Sequence, residues 1–296
     1  MLTAGLWCLA TGLLWTLVGV HFTVLNRRGC DALGLNLIST LFLAVISLAM
    51  VPWPEVVAET APEARLADLS IAMLLAGGTM AAGLVLMMAA MRRGPADAAW
   101  SICQSSMVIP FALGSIFNNS PVHVLNMVGL GAVAAGIGMF GRRKAAPRTD
   151  PASDGGYAIA ILAFLVIGLG QHLFSIPSYW EGWRDVHRLR IPIQAVGGFV
   201  ALLLWAIPTG LITLEGRLWK HGFLFACLTF VSRHALYAAM DALTAQGQAP
   251  ITYPVCLGLS ILGYVAWHAW SQRRFDAFTM LISVLLSAGL VMLCRR

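Results

Sequence analysis

The sequence predicts an all-α polytopic membrane protein with ten transmembrane helices arranged as two inverted five-helix repeats. The composition is one reason, because the 296 residues are 59% hydrophobic and 11% charged, whereas soluble domains carry roughly 25% charged residues. The charges also lie in short clusters between apolar stretches, as expected for a chain whose main solvent is lipid. Finally, the two halves of the chain close on similar apolar segments that each end in a pair of arginines.

Ten apolar stretches are long enough to cross a bilayer, which requires about 20 mostly apolar residues. The first stretch lacks a preceding basic segment and continues to Leu25, so it predicts a span rather than a cleavable signal peptide. In chain order, the predicted spans are residues 2–25, 32–53, 69–91, 96–116, 122–141, 157–178, 191–212, 222–244, 250–270 and 275–294.

One polar segment divides these spans into two groups of five. Residues 142–156 are rich in basic residues and contain two prolines and an Asp-Gly-Gly sequence, which is typical of a linker. Residues 1–141 therefore predict a first repeat, and residues 157–296 predict a second. The ending 135–143 of the first half is similar to the ending 288–296 of the second. An odd number of spans in each repeat places the second copy upside down in the membrane.

The distribution of Lys and Arg predicts the orientation of the chain. The loops after spans 1, 3, 5, 7 and 9 carry most of the basic residues, whereas Glu55, Glu59 and Glu63 lie on the other side. The positive-inside rule places both termini outside the cytoplasm, so we expect a bacterial inner-membrane protein with periplasmic termini. Basic loops that meet anionic lipid headgroups explain the formal net charge of +6, and no nucleic-acid partner is expected.

Several kinds of chemistry have no matching motif in the chain. There is no Gly-rich phosphate loop of the Walker type, and neither a His-Glu-x-x-His nor a Gly-x-Ser-x-Gly motif occurs. The six cysteines lie mostly in apolar stretches and lack the spacing of metal ligands. We therefore expect no enzymatic activity, no cofactor and no bound metal.

The boundary between spans 3 and 4 carries a family resemblance. Span 3 ends at residues 88–93, Gly94 and Pro95 form a turn, and span 4 begins with small and polar residues. With ten short helices in two repeats and very short loops, the whole chain resembles the drug/metabolite transporter superfamily. After span 4, residues 117–121 read Phe-Asn-Asn-Ser-Pro where members usually carry a Gly-Glu pair. The chain thus departs from the common exporter-like pattern.

Other features are more similar to the rhamnose–proton symporter branch of that superfamily. These are the basic residues directly after span 1, the outward termini and a span 4 rich in Ser and Gln. The resemblance implies alternating access, with the substrate held near the middle of the membrane between the two repeats. It also predicts secondary active transport of a small polar solute, with a sugar such as rhamnose as a candidate and with coupling to protons.

The expected partners are a small-molecule substrate, protons and the lipid bilayer. Pairs of small residues four positions apart, such as Gly131 with Ala135, suit close helix packing within one chain or in a homodimer. One alternative function is export of amino acids or drug-like metabolites. A different class also stays open, namely an intramembrane enzyme or a receptor on the same scaffold.

Span 8 carries the most informative polar residues, because an ionisable side chain within a bilayer is costly and therefore suggests function. Arg233 lies at the centre of this span. At 100° per residue, it shares an arc of about 100° with Tyr237, Asp241 and His234. We expect this arc to face a water-filled cavity or the opposite repeat, with Arg233 and Tyr237 binding substrate and with His234 or Asp241 coupling protons. The alternatives are that Arg233 only specifies packing and that Asp241 is solvated.

Span 4 carries a second polar stripe, in which Asp97, Ser101 and Gln104 share a face while Trp100 points away by about 60°. Gln104 lies deep enough in the span to reach a cavity and can both donate and accept hydrogen bonds. Its alternative role is a hydrogen bond between helices. Asp97 is expected to be an N-terminal cap after the Gly94-Pro95 turn.

Four further residues complete the expected binding site. Trp15 in span 1 offers an indole face to a sugar or an aromatic ligand. Gln171 and His172 are adjacent polar residues within span 6, which is unusual in a lipid environment. Tyr253 lies at a polar entrance to span 9, next to a proline that can free main-chain carbonyls for a ligand. For Trp15, the alternative is helix packing or a place in the interfacial belt, and at least one of Gln171 and His172 is expected to line the cavity.

Overall fold

The computed structural model describes residues 2–54, 56, 66–117, 123–142, 155–179, 188–210, 216–244, 252–273 and 276–292. These residues form α-helices joined by turns and contain no β-strand. In the first half, the helices are α1 (Leu2–Arg27), α2 (Ala32–Ala49), α3 (Leu66–Arg93), α4a (Ala96–Gln104), α4b (Val108–Phe117) and α5 (Val124–Arg142). In the second half, they are α6 (Gly156–Ser175), α7 (Arg190–Thr209), α8 (Gly216–Thr244), α9 (Thr252–Ser271) and α10 (Ala277–Met292).

Six of these helices, α1, α2, α3, α6, α7 and α8, are long and apolar enough to cross a membrane. Shorter apolar helices run over Val124–Ile137 and Ala277–Met292. The outer surface is apolar as well. On α1, Leu6, Leu13 and Leu17 lie on one side and are 50% to 57% exposed. Apolar side chains on both the inside and the outside suit a bundle surrounded by lipid, so the chain is a multi-pass membrane protein by composition and helix length.

Local side-chain chemistry explains where several helices begin and end. Asp31 caps α2, because its carboxylate accepts hydrogen bonds from the main-chain N–H groups of Leu33 at 3.1 Å and Gly34 at 2.9 Å. Gly29, after α1, and Gly210, after α7, have φ angles of +70° and +61°. This left-handed backbone favours glycine and allows the chain to leave each helix sharply.

Span 4 differs from its prediction in two respects. It is not one regular helix, because a 3-10 turn, Ser105–Met107, separates α4a from α4b. The N-cap residue of α4a is Pro95, so the prediction that Asp97 is the cap is wrong. Asp97 lies in the first turn, where its Oδ1 accepts a hydrogen bond from the N–H of Ala98 at 3.0 Å. A carboxylate at this position still interacts favourably with the positive end of the helix.

The two halves of the chain interlock instead of forming separate bundles. The helix α3 of the first half packs between α6 and α7 of the second, and α8 packs between α1 and α2. Three further contacts, α1 with α9, α2 with α7 and α5 with α10, also join the halves. The core therefore lies between residues 1–141 and 157–296, not within either segment.

Glycines allow the closest of these approaches. A Cβ placed on Gly77 of α3 would overlap the main-chain oxygen of Gln194 on α7, and a Cβ placed on Gly197 of α7 would overlap the backbone of Leu74. Backbone atoms cannot move aside as a flexible side chain can. The α3–α7 contact thus depends on the absence of side chains at both positions, as in other tightly packed membrane helices.

This packing predicts that Gly77→Ala destabilises the protein by roughly 1–3 kcal/mol, the usual cost of overpacking. The reason is that α3 and α7 must separate to admit the added methyl group. The control is Gly131→Ala on α5, where a Cβ would meet no atom within 4 Å. Thermal unfolding in detergent measures both variants, and equal melting temperatures would contradict the close α3–α7 contact.

Candidate functional site

A cavity of about 110 Å³ lies where the two halves meet. Its walls come from α1, α3 and α4a of the first half and from α6, α7, α8 and α9 of the second. For comparison, an engineered protein cavity of about 150 Å³ binds benzene, so this cavity suits a small solute. The polar side chains that line it are Gln104, Gln171, Gln194, Thr229, Ser232, Arg233 and Tyr253, and the aromatic ones include Trp15, Trp100, Phe174 and Phe225.

Arg233 is the one cationic side chain that lines this cavity among the described residues. It projects from α8, and its Nη1 donates a hydrogen bond to Oε1 of Gln194 on α7 at 2.5 Å. Gln194 is 3% exposed, so this hydrogen bond is shielded from the surroundings of the bundle. Within the described part of the chain, no carboxylate forms an ion pair with Arg233.

Because the partner is neutral, no described residue compensates the charge of Arg233. Burying a charge costs free energy unless it is paired and hydrogen-bonded, and one amide oxygen supplies a single acceptor to a group with five N–H donors. An acceptor-rich or anionic group that enters the cavity would therefore be stabilised there by charge-assisted hydrogen bonds. The geometry is that of a recognition site for such a group.

Gln171 adds a second polar group to the cavity wall, from α6. Its side chain is 7% exposed, and its Oε1 accepts no hydrogen bond from the described residues. A buried amide oxygen without a donor is destabilising, because the group has lost its hydrogen bonds to water. A donor from water or a bound solute would satisfy it.

A second guanidinium lies beside the cavity. Arg190, at the start of α7, is 1% exposed, and its Nη2 donates a hydrogen bond to the main-chain oxygen of Phe174 at 2.6 Å. Its guanidinium carbon lies 4.9 Å from the ring centroid of Phe174 and 5.1 Å from that of Tyr237. These distances are in the range of cation–π interactions, so Arg190 holds in place the aromatic ring of Phe174 that lines the cavity.

Trp100 forms part of the opposite wall. Its ring lies 5.1 Å from that of Tyr264, and the hydroxyl of Tyr264 forms a hydrogen bond of 2.5 Å with the hydroxyl of Thr23 on α1. Nearby, Asp97 Oδ2 lies 3.8 Å from Nδ1 of His268. These ring and polar contacts connect α1 and α4a of the first half to α9 of the second. They hold the halves together at the end of the bundle where α4a begins.

Five of the predicted substrate-binding residues line the cavity. They are Trp15, Gln104, Gln171, Arg233 and Tyr253, which lie on five different helices. The structure therefore brings together side chains that are far apart in the sequence. That they bind a substrate stays a prediction.

Four other predicted residues are placed differently. His172 is buried with its ring 6.4 Å from that of Phe117, and Tyr237 stacks on Phe174 with ring centroids 5.5 Å apart. His234 is exposed, and its Nδ1 lies 3.0 Å from the main-chain oxygen of Phe230. None of these three lines the cavity. The side chain of Asp241 lies outside the described residues, and of the described members of the expected arc on span 8, Arg233 lines the cavity.

Sequence reasoning missed Gln194, Arg190 and Trp100. Arg190 and Gln194 are four residues apart, which places them on one side of a helix, and this spacing was the signal that could have found them. Arg190 was instead counted among the loop residues. Trp100 was set apart from the polar stripe because it points about 60° away from Asp97, but it lies only about 40° from Gln104 around the helix, and both line the cavity.

Comparisons with known proteins identify a fold but no family. The chain matches no family model and no curated protein sequence. A solved structure described as "Crystal structure of protein" is similar over 98% of this chain and 95% of its own, with a TM-score of 0.53 and 12% sequence identity. Similarity at this level of identity concerns the fold alone.

The cavity predicts which positions of α8 are in contact with water. A cysteine at Thr229, which lines the cavity, should react with a small hydrophilic methanethiosulfonate, because thiols ionise and react in water and not in lipid. The matched control is Val231→Cys, at a side chain that is 52% exposed on the outer surface of the same helix. Labelling above that of the unsubstituted chain is expected for Thr229→Cys alone. Stronger labelling of Val231→Cys would contradict the assignment of inner and outer surfaces.

Proposed function

We propose that this chain is a secondary active transporter that moves a small polar solute across a membrane by alternating access. The observation that carries the proposal is a guanidinium with a neutral partner, inside a cavity lined by both halves of the chain. A charge maintained within an apolar bundle, with no carboxylate among the described residues to neutralise it, is expected where a polar solute binds. The location between two halves also suits a carrier, because relative motion of the halves would open the cavity to either side.

The pattern of helix neighbours supports a duplication in which α1–α5 correspond to α6–α10. Exchanging each helix for its counterpart turns the α3–α6 contact into α8–α1 and the α3–α7 contact into α8–α2, and all four contacts are extensive. With α4a and α4b counted together as α4, the α1–α9 contact becomes α6–α4, which is also present. The α2–α7 and α5–α10 contacts map onto themselves. Among the described residues, the α9–α10 contact has no equally extensive counterpart between α4 and α5.

The membrane-spanning candidates support the same correspondence. The six helices that are long and apolar enough to span are the first three of each half. We propose that the remaining helices also cross the membrane, which gives ten spans in two repeats of five. An odd number of spans inverts the second repeat relative to the first, and the distribution of basic loops favours termini on the periplasmic side of a bacterial inner membrane.

Within this proposal, the cavity residues have distinct roles. Arg233 attracts and orients the solute through charge-assisted hydrogen bonds, and Gln194 fixes the direction of the guanidinium. Gln104, Gln171 and Tyr253 supply further hydrogen bonds, while Trp15 and Trp100 cover apolar parts of the solute. The family proposed for the chain is the drug/metabolite transporter superfamily, with a sugar such as rhamnose as a candidate solute.

Export of amino acids is the second candidate function. The observation that favours it is again Arg233, because an amino acid carries a carboxylate that a guanidinium binds in a bidentate geometry. The two candidates differ in the solute and in the direction of flux, not in the fold. An enzyme or a receptor on the same scaffold would bind a ligand without moving it.

Counterflow in proteoliposomes tests the proposal. Vesicles loaded with an unlabelled solute should accumulate the same labelled solute from outside, for at least one member of a panel of sugars, sugar acids and amino acids. Accumulation is driven by the solute gradient and does not require an ion gradient, so the assay detects a carrier whatever ion it couples to. Absence of counterflow for the entire panel, in protein that is correctly inserted, would contradict transport.

Arg233→Gln should lower counterflow about 10- to 100-fold, because a hydrogen bond to a charged group contributes roughly 1.5–3 kcal/mol. The control is Arg217→Gln, which removes an exposed guanidinium from the first turn of the same helix. Both variants should insert and purify like the parent protein. Normal counterflow in Arg233→Gln would show that this residue has a packing role.

If His234 or Asp241 couples protons, replacing that residue should abolish gradient-driven accumulation of the solute. Replacing the coupling residue, by His234→Gln or Asp241→Asn, should abolish accumulation driven by a pH gradient and leave solute exchange intact, because exchange needs no net proton movement. Solute uptake with and without an imposed gradient measures this difference. Gradient-driven uptake equal to that of the parent protein in both variants would exclude these residues as the coupling groups.

A further inference from the structure

We infer that the solute is a small carboxylate that also carries a hydroxyl group. The inference rests on the proposed function for the movement of the solute, but its chemistry can be tested by binding alone. Three observations of the described residues carry it: Arg233 has a neutral partner, the buried oxygen of Gln171 receives no hydrogen bond, and no carboxylate lines the cavity.

Neutralisation of the Arg233 charge favours an anion over a neutral sugar as the solute. Arg233 already has one neutral acceptor in Gln194, and a sugar hydroxyl would add a second neutral acceptor without neutralising the guanidinium. A carboxylate supplies two acceptor oxygens in the geometry of the guanidinium N–H groups and cancels its charge. Within an apolar bundle, the second effect is large, because a charge that is paired is far less costly than an unpaired one.

The oxygen of Gln171 specifies the second group of the solute. Gln171 lines the same cavity, and its Oε1 is buried and receives no hydrogen bond from the described residues. A hydroxyl can donate to it, and if the amide is turned around, a hydroxyl can accept from its NH₂ instead. Carboxylates without a hydroxyl would leave this polar group unsatisfied and are expected to bind more weakly.

The lack of an acidic residue disfavours an ammonium group in place of the hydroxyl. An amino acid would bring a positive charge into a cavity that already holds Arg233, and no described Asp or Glu lines the cavity to balance it. A hydroxy acid leaves the site electrically neutral, whereas an amino acid leaves its net charge unchanged. The site therefore discriminates by charge as well as by shape.

Four small molecules of nearly equal size separate these chemistries. Lactate has the carboxylate and the hydroxyl, propionate lacks the hydroxyl, alanine replaces the hydroxyl with an ammonium, and propane-1,2-diol replaces the carboxylate with a neutral group. Binding to the full-length protein in detergent is measured by ligand-induced thermal stabilisation, with gluconate as a larger hydroxy acid. Lactate or gluconate should bind at least about tenfold more tightly than propionate, alanine or propane-1,2-diol.

Substitutions at Arg233 and Gln171 assign the preference to these two residues. Arg233→Gln should abolish the preference for lactate over propane-1,2-diol, with Arg233→Lys as a second variant that keeps the charge but loses the bidentate geometry. Gln171→Leu should remove the preference for lactate over propionate and retain propionate binding. Arg217→Gln serves as the control and should leave all affinities unchanged.

The outcomes separate the inference from the proposed function. Binding of alanine or propane-1,2-diol as tight as that of lactate would overturn the inference, as would failure of both lactate and gluconate to bind. Counterflow of a neutral sugar without binding of a hydroxy acid would support transport and contradict the inferred solute class. Binding of lactate without counterflow of any solute would support the inferred solute class and contradict transport.

Discussion

The hydrogen bond between Arg233 and Gln194 is the interaction on which the account depends. It places a charge from α8 next to a neutral amide from α7, in the interior of a bundle whose surface and core are both apolar. A carboxylate in place of Gln194 would form an ion pair with Arg233, and the guanidinium would then bind a solute only weakly. A neutral partner fixes the direction of the guanidinium and leaves its charge available.

This arrangement requires the two halves of the chain to meet closely without filling the space between them. Glycines allow the close contact, because α3 and α7 approach until their backbones touch at Gly77 and Gly197. Aromatic rings preserve the space, since Trp100 rests on Tyr264 and the ring of Phe174 is held beneath the guanidinium of Arg190. The rigid elements surrounding the cavity thus belong to both halves, and a relative movement of the halves would change the cavity as a whole.

The sequence predicted the helical class and the approximate limits of most helices, because a long apolar stretch has few other stable structures in lipid. It also predicted five residues of the cavity wall, since a polar residue within such a stretch is conspicuous on its own helix. The rest depended on neighbours that one helix cannot reveal. Gln194 is important through its contact with Arg233, and Trp100 through the helices that enclose α4a. The broken span 4 and the exposed position of His234 were missed for the same reason.

Gln194→Glu tests the central claim most directly, because it changes one amide into a carboxylate of the same size beside Arg233. The new ion pair should neutralise the guanidinium, so we expect solute binding and counterflow to fall at least about tenfold while the protein stays folded. The measurement is the solute affinity of the folded variant compared with that of the parent protein. An unchanged affinity would mean that the charge of Arg233 does not bind the solute.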